Sequence, residues 1–149
     1  MIMAGDRLKV LYLCTGNSCR SQMAEAWTRV LKGDRVEAFS AGVAPHGIDP
    51  RAVQVMAEVG IDLSGQHSKD VDTFGAVAFD YVITLCDNAH QACPVFPAKT
   101  RVLHMGFDDP PRLAAGAHTD GEALAHYRRV RDDIRVFVEK LPEILDEQN

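Results

Sequence analysis

The sequence contains no apolar run approaching the ~18 residues that a transmembrane helix requires, so no membrane span is expected. Its N-terminus, "MIMAGDRLKVLYL", lacks the apolar core of a secretory leader, and the cytoplasm is the expected compartment. An excess of basic charge is also missing: 16 Lys and Arg stand against 21 Asp and Glu, a formal net charge of −5. A nucleic-acid partner would need a basic face and is not expected; a single local cationic site for an anion is not excluded. Cysteine is scarce, at four in 149 residues. In a cytoplasmic chain, four thiols point to catalysis, redox chemistry or metal binding rather than to a disulfide framework. Repeats and low-complexity tracts are absent. The six histidines, His46, His67, His90, His104, His118 and His126, show no metal-ligand spacing and read as surface or packing residues. No metal and no cofactor is expected.

What is present is an ordinary globular composition, 46% apolar and 25% charged, in a length that predicts one domain over residues 1–149. "LKVLYL" (8–13) reads as a buried strand. A helix follows, with Met23, Ala26, Trp27, Val30 and Leu31 on one face, and Gly33 ends it. "RVEAFSAG" (35–42) is a second strand. In "IDPRAVQVMAEVGI", Asp49 suits the N-cap, Pro50 the first helical position and Gly60 the end. "DYVITLC" (80–86) and "TRVLHM" (100–105) read as two more strands. From about Gly121 a long helix carries Leu124, Tyr127, Val130, Ile134, Phe137, Val138 and Leu141 on one stripe. The loop from 108 to 121, rich in Pro, Gly and Ala, reads as mobile. Strands alternating with helices predict an α/β layer fold with a mainly parallel sheet. Ligands bind outside the carboxyl ends of such strands, where Cys14 and Cys86 both stand.

"CTGNSCRS" (14–21) joins the first strand to the first helix through a small polar loop. Backbone N–H groups of such a turn can face inward as an anion cradle, reinforced by the helix dipole. Gly16 permits unusual backbone angles, and Asn17 tolerates left-handed geometry and can brace the loop. Arg20 offers a planar fork to a tetrahedral oxyanion. That field favours a Cys14 thiolate, to which Ser21 can donate. The loop would then hold an oxyanion in line with a sulfur nucleophile. The plain alternative is a cysteine packed at a strand end with Arg20 on the surface.

Residues 14–21 resemble the phosphate loop of the low-molecular-weight protein tyrosine phosphatase superfamily. Within it the chain is most similar to the thioredoxin-coupled arsenate reductases. The resemblance runs through "CTGNSCRSQMAEAW", "FSAGVAPHGIDPRAV", "VITLCDNAHQACPVFP", "GFDDP" and "YRRVRDDI", in that order. It implies a three-layer fold, a four-stranded parallel sheet flanked by helices, and reduction of arsenate to arsenite. Thr15, Gly16, Asn17, Ser18, Cys19 and Arg20 would bind arsenate, with phosphate or sulfate competing. Cys14 would attack arsenic, and Cys86 would attack the Cys14 sulfur, releasing arsenite as a Cys14–Cys86 disulfide forms. Cys93 would then attack Cys86, and thioredoxin would reduce the final Cys86–Cys93 bond by thiol–disulfide exchange. Asp109, before Pro110, would be the general acid, with Asp108 as neighbour. Asn17, Glu25 and Ser40 match positions that hold potassium in some family members. Lys69 stands where a further acidic ligand is expected, either as an ammonium replacing the ion or as a solvated lysine. Potassium is therefore not expected. Cys19 has no redox role in this scheme and reads as a small core-facing residue.

Seven residues of regular helix would separate the Cα atoms of Cys86 and Cys93 by about 10 Å, whereas a disulfide needs roughly 4.4–6.8 Å. Any helix there must unwind, or the segment must loop out, on oxidation. In "DNAHQAC", Asp87 can cap, Asn88, His90 and Gln91 add no apolar anchor, and Pro94 stops continuation. For both cysteines core packing is the plain alternative. At the level of the whole chain the alternatives are a tyrosine phosphatase, for which the Cys86–Cys93 pair would be idle, and an arsenite-binding protein using three thiols. The latter would need a DNA-binding helix or basic face, and none is visible. Weak phosphatase activity beside reduction fits the first loop.

Overall fold

The computed structural model describes residues 7–147; residues 1–6, to which the leader expectation applies, and residues 148 and 149 lie outside the described residues. The elements are β1 (Leu8–Cys14), α1 (Arg20–Lys32), β2 (Val36–Gly42), α2 (Pro50–Glu58), a 3₁₀ turn (Val71–Phe74), β3 (Tyr81–Thr84), α3 (Asp87–Gln91), β4 (Arg101–His104), α4 (Pro110–Ala114), α5 (Asp120–Glu139) and α6 (Glu143–Glu147). The four strands form one sheet in the order β2-β1-β3-β4, and every pairing is parallel.

Strand β1 organises the packing because its side chains alternate between two cores. Val10, Tyr12 and Cys14 face one side, with Met23 and Trp27 of α1, Ala52 of α2, Ala114 of α4 and Tyr127 and Ile134 of α5. Leu11 and Leu13 face the other, with Phe79, Val82 and Ala89 of α3. Phe39, Phe74 and Phe79 meet edge to face there, with ring centroids 5.2–6.1 Å apart. A parallel sheet buried on both faces needs such cover, and the three expected layers result.

Local chemistry sets the boundaries. Asp49 caps α2 by accepting from the Arg51 N–H, with Pro50 at the first position. The long helix begins one residue before Gly121, because Thr119 Oγ1 accepts the Glu122 N–H at 3.1 Å while the Glu122 carboxylate accepts the His118 N–H at 2.8 Å. All seven residues of its expected apolar stripe are buried, although the helix ends at Glu139 and Leu141 lies in the turn beyond it.

Several sequence expectations need correction. Val30 is 57% exposed: the fully buried residues of α1 end at Thr28, and in the last turn only Leu31 still packs, half-buried, against the core. The third and fourth strands are shorter than expected, since Cys86 already caps α3 and pairing ends at Thr84 and His104. The segment after Asp109 is not an irregular loop: Pro110 and Pro111 start α4, which buries Ala114 against the main core. Pro110 and Pro111, expected in a mobile loop, are here first-turn residues. The 3₁₀ turn and α6 were not foreseen; both are too short for a periodic signal.

The buried Tyr12–Thr28 pair yields a stability test. Thr28 Oγ1 donates to the Ala24 carbonyl at 2.7 Å, so its one proton is used, and the Tyr12 hydroxyl must donate to it across 2.7 Å. Both side chains are fully buried. Thr28→Val strands the phenol without an acceptor and should cost about 1–3 kcal/mol; Tyr12→Phe leaves Thr28 satisfied and should cost about 0.5–1.5 kcal/mol. Urea unfolding of the two variants checks the order; equal losses would contradict the donor assignment.

Candidate active site

Parallel pairing sets Leu13 beside Thr84 and Cys14 beside Gly42. The segments leaving β1, β2 and β3 therefore converge at one end of the sheet. The loop after β1 is held there from outside. The carbonyls of Cys14, Thr15, Gly16 and Ser18 accept the N–H groups of Val43, Ala44, His46 and Asp49, at 3.2, 2.8, 3.1 and 3.0 Å. Ser68 Oγ adds a bond to the Gly16 carbonyl at 2.9 Å. Among the described residues, no acceptor takes the N–H groups of residues 15–19. With its carbonyls turned out, the loop presents those N–H groups inward, the geometry of an anion nest.

Asn17 is the internal brace. It has φ 47°, the left-handed conformation its residue type tolerates. Its amide donates to Ser21 Oγ at 2.9 Å, its side-chain oxygen accepts the Lys69 N–H at 2.7 Å, and its carbonyl accepts from Gln22 at 3.0 Å. Asn17 is fully buried and supports the pocket rather than lining it. Gly16 needs no left-handed backbone, contrary to expectation; the His46 ring fills the space that a Cβ there would occupy. Gly42 is required for the same kind of reason: a Cβ would lie 2.6 Å from the Thr15 carbonyl oxygen and 2.8 Å from the Asn17 nitrogen.

Cys14 Sγ lies 3.0 Å from Ser21 Oγ at the floor of a pocket of about 380 Å³, lined also by Thr15, Gly16, Ser18 and Arg20. Arg20 is not on the surface. Its side chain is 11% exposed, donates to the Phe107 carbonyl at 2.8 Å and lies 3.7 Å from the Asp109 carboxylate. Asp109 sits at the N-cap of α4 without making a capping bond, which leaves its carboxylate to the cleft. Asp108 instead pairs with Arg129 of α5 at 3.0 Å.

The second thiol opens onto a neighbouring cleft of about 680 Å³. Cys86 Sγ is 3.3 Å from Thr15 Oγ1, whose oxygen also accepts from the Asn88 amide at 2.9 Å. The same sulfur accepts the Ala89 N–H at 3.4 Å and so caps α3, a role the sequence suggested for Asp87. All four cysteines are free. Cys93 lies just beyond α3, half-buried against the Phe79 core, and burial pushes its thiol up. Burial raises Cys19 strongly, with Asp49 and Cys14 adding to it, so this 4%-exposed side chain is a protonated packing group.

Glu25 accepts from Ser40 Oγ at 2.6 Å, and Lys69 Nζ lies 3.8 Å from it while donating to the His67 carbonyl at 2.6 Å. Burial lowers Lys69 and Glu25 opposes that shift. The ammonium thus pairs with one of the groups named for a cation, Glu25, while Asn17 is met by the Lys69 backbone N–H instead. Among the described residues no cluster of His, Cys, Asp or Glu could hold a metal ion, and no helix is long and apolar enough to cross a membrane. Sequence reasoning missed His46, which lines the anion pocket from the chain after β2. Only the parallel pairing of β2 with β1 brings it there.

A thiol on an inward-facing N–H nest, with a buried arginine and a facing carboxylate, defines a site for nucleophilic transfer chemistry on a tetrahedral oxyanion. The chain belongs to the low molecular weight phosphotyrosine protein phosphatase family, whose pattern matches residues 9–149. It is 49% identical over 127 residues to an arsenate reductase of Halalkalibacterium halodurans, covering 85% of this chain and 89% of that one. It is also similar to a solved arsenate reductase in the phosphate-binding state, at 32% identity and TM-score 0.70, over 95% of this chain and 99% of the other. A thioredoxin-dependent arsenate reductase of Corynebacterium glutamicum matches at 25% identity and TM-score 0.71, over 99% of this chain and 66% of its own.

The close approach at Gly42 is directly testable. Gly42→Ala should push on the Thr15 carbonyl and the Asn17 nitrogen and distort the nest without removing any of its groups. Phosphate affinity, read by calorimetry, should fall about tenfold or more, equivalent to ~1.4 kcal/mol, while far-UV circular dichroism stays native. Unchanged affinity in the folded variant would refute the steric account.

Proposed function

We propose that this protein reduces arsenate to arsenite through Cys14, Cys86 and Cys93, with thioredoxin restoring the dithiol. The observation that carries the reading is the 3.3 Å contact between Cys86 Sγ and Thr15 Oγ1, which sets a second thiol at the rim of the loop built around Cys14. Arsenate is bound by the N–H groups of Thr15, Gly16, Ser18 and Cys19 and by the Arg20 guanidinium, with Asn17 bracing the loop from behind. The Cys14 thiolate attacks arsenic, and Asp109 protonates the oxygen that leaves as water. Cys86 then attacks Cys14 Sγ. The sulfur–arsenic bond breaks, its electron pair stays on arsenic, and arsenic passes from the +5 to the +3 state as the Cys14–Cys86 disulfide forms. Cys93, after losing its proton, attacks Cys86 and frees Cys14. Reduction of the Cys86–Cys93 bond by two thioredoxin thiols completes the cycle.

The arsenate reductase relatives and the positions of these side chains support this order. Lys69 is the internal cation of the loop in this reading, and the activity needs no potassium. The Cys14 loop with Asp109 is also sufficient for phosphate-ester hydrolysis, as the family name suggests, so a weak phosphatase activity accompanies reduction. A cytoplasmic location agrees with three working free thiols.

Mixing reduced protein with arsenate, without a recycling reductant, should consume two thiols per arsenite released. Cys14→Ser should abolish both arsenate reduction and aryl phosphate hydrolysis. Cys86→Ser and Cys93→Ser should keep the hydrolysis and lose multiple-turnover reduction. Peptide mapping of Cys93→Ser after one turnover should find Cys14–Cys86. Arsenite release by Cys14→Ser, or a Cys14–Cys19 product in the wild type, would overturn the relay.

A further inference from the structure

Two histidines read from the sequence as bystanders lie on the redox segment itself. His90 is on α3, between Cys86 and Cys93; His104 ends β4. Their rings stack with centroids 4.7 Å apart and planes 38° apart. Both Nδ1 atoms reach one hydroxyl, Thr84 Oγ1 at the end of β3, at 3.1 Å from His90 and 2.8 Å from His104. His104 Nε2 lies 3.2 Å from the carboxylate of Asp87, the first residue of α3.

The Thr84 hydroxyl also donates to the Leu103 carbonyl at 3.3 Å. Its single proton cannot serve that carbonyl and both rings, so the Thr84 oxygen accepts from at least one ring Nδ1–H. The Asp87 carboxylate is an exposed ion-pair partner of His104. The contacts run from α3 through β4 and β3 and back to α3. They begin and end on the five helical residues between Cys86 and Cys93.

We propose that Asp87, His104, Thr84 and His90 form a clasp that holds α3 in the dithiol state and thereby sets the reduction potential of the Cys86–Cys93 couple. The proposal rests on the Cys86–Cys93 disulfide of the preceding section. His90 and His104 are positioning residues; neither touches the oxyanion pocket. Contacts present only in the reduced protein stabilise that side of the equilibrium. Removing them favours the disulfide and makes the potential more negative.

The test is redox titration of the wild type, His90→Ala, His90→Asn and Thr84→Val against a dithiol/disulfide buffer, followed by thiol mapping. His90→Ala should shift the equilibrium about tenfold toward the Cys86–Cys93 disulfide, or ~30 mV more negative. Helix propensity acts in the opposite direction, because alanine is the better helix former and would favour the reduced state. The sign therefore separates the clasp from a local helix effect. His90→Asn keeps a donor near the Nδ1 position and should restore part of the shift, and Thr84→Val should match or exceed His90→Ala. Aryl phosphate hydrolysis should stay unchanged in both His90 variants, which reports an intact Cys14 loop. A potential that is unmoved or less negative in His90→Ala overturns the clasp. Failure of the wild type to form Cys86–Cys93 at any poise overturns the underlying relay instead.

Discussion

Everything at the site depends on which way the peptide units of residues 14–18 face. A loop this short has more backbone dipoles than it can satisfy internally, and a buried unpaired carbonyl is costly. The segment after β2 resolves this by supplying N–H groups to the carbonyls of Cys14, Thr15, Gly16 and Ser18, and Ser68 adds a hydroxyl. Once the oxygens are claimed from behind, the loop N–H groups face the pocket. Arg20, Cys14 and Ser21 then need only their places at the strand end and in the first helical turn. The cradle is a property of two neighbouring parallel strands, not of eight residues in isolation.

The thiols are differentiated by surroundings rather than by type. Cys14 and Cys86 each meet a hydroxyl, Ser21 and Thr15, and Cys86 also meets the first turn of α3. Cys19 and Cys93 lie against apolar neighbours that raise their proton affinity. One pair is placed for attack and the other is held protonated. In the proposed relay, Cys93 acts only after its environment changes.

How much of this was legible in the sequence follows from the range of each interaction. The β1–α1 junction, the Asp49 cap and the α5 stripe are local signals, and they were read closely. Val30 went wrong because periodicity gives the face of a helix but not how far its neighbour extends along it. The helix after Asp109 is hidden by a Pro, Gly and Ala content that suits a mobile loop, although an aspartate followed by proline also starts a helix. His46, His90 and His104 carried no signal at all. Each acquires its place from a strand pairing tens of residues away, and their spacing along the chain encodes none of it.

The outward anchoring of the loop also has a consequence for folding. Its carbonyls are claimed by residues about 30 positions later, and Asn17 is tied to Lys69 some 50 positions on. Contacts of that range close only after the intervening chain has been ordered, which makes them late events. While the chain is emerging or only partly folded, Cys14 is therefore an ordinary thiol in a flexible loop, with no nest around it. Nucleophile and receptor come into being together, at the step that docks the chain after β2 behind β1. Partly folded molecules carry the sequence motif but cannot capture an oxyanion with it.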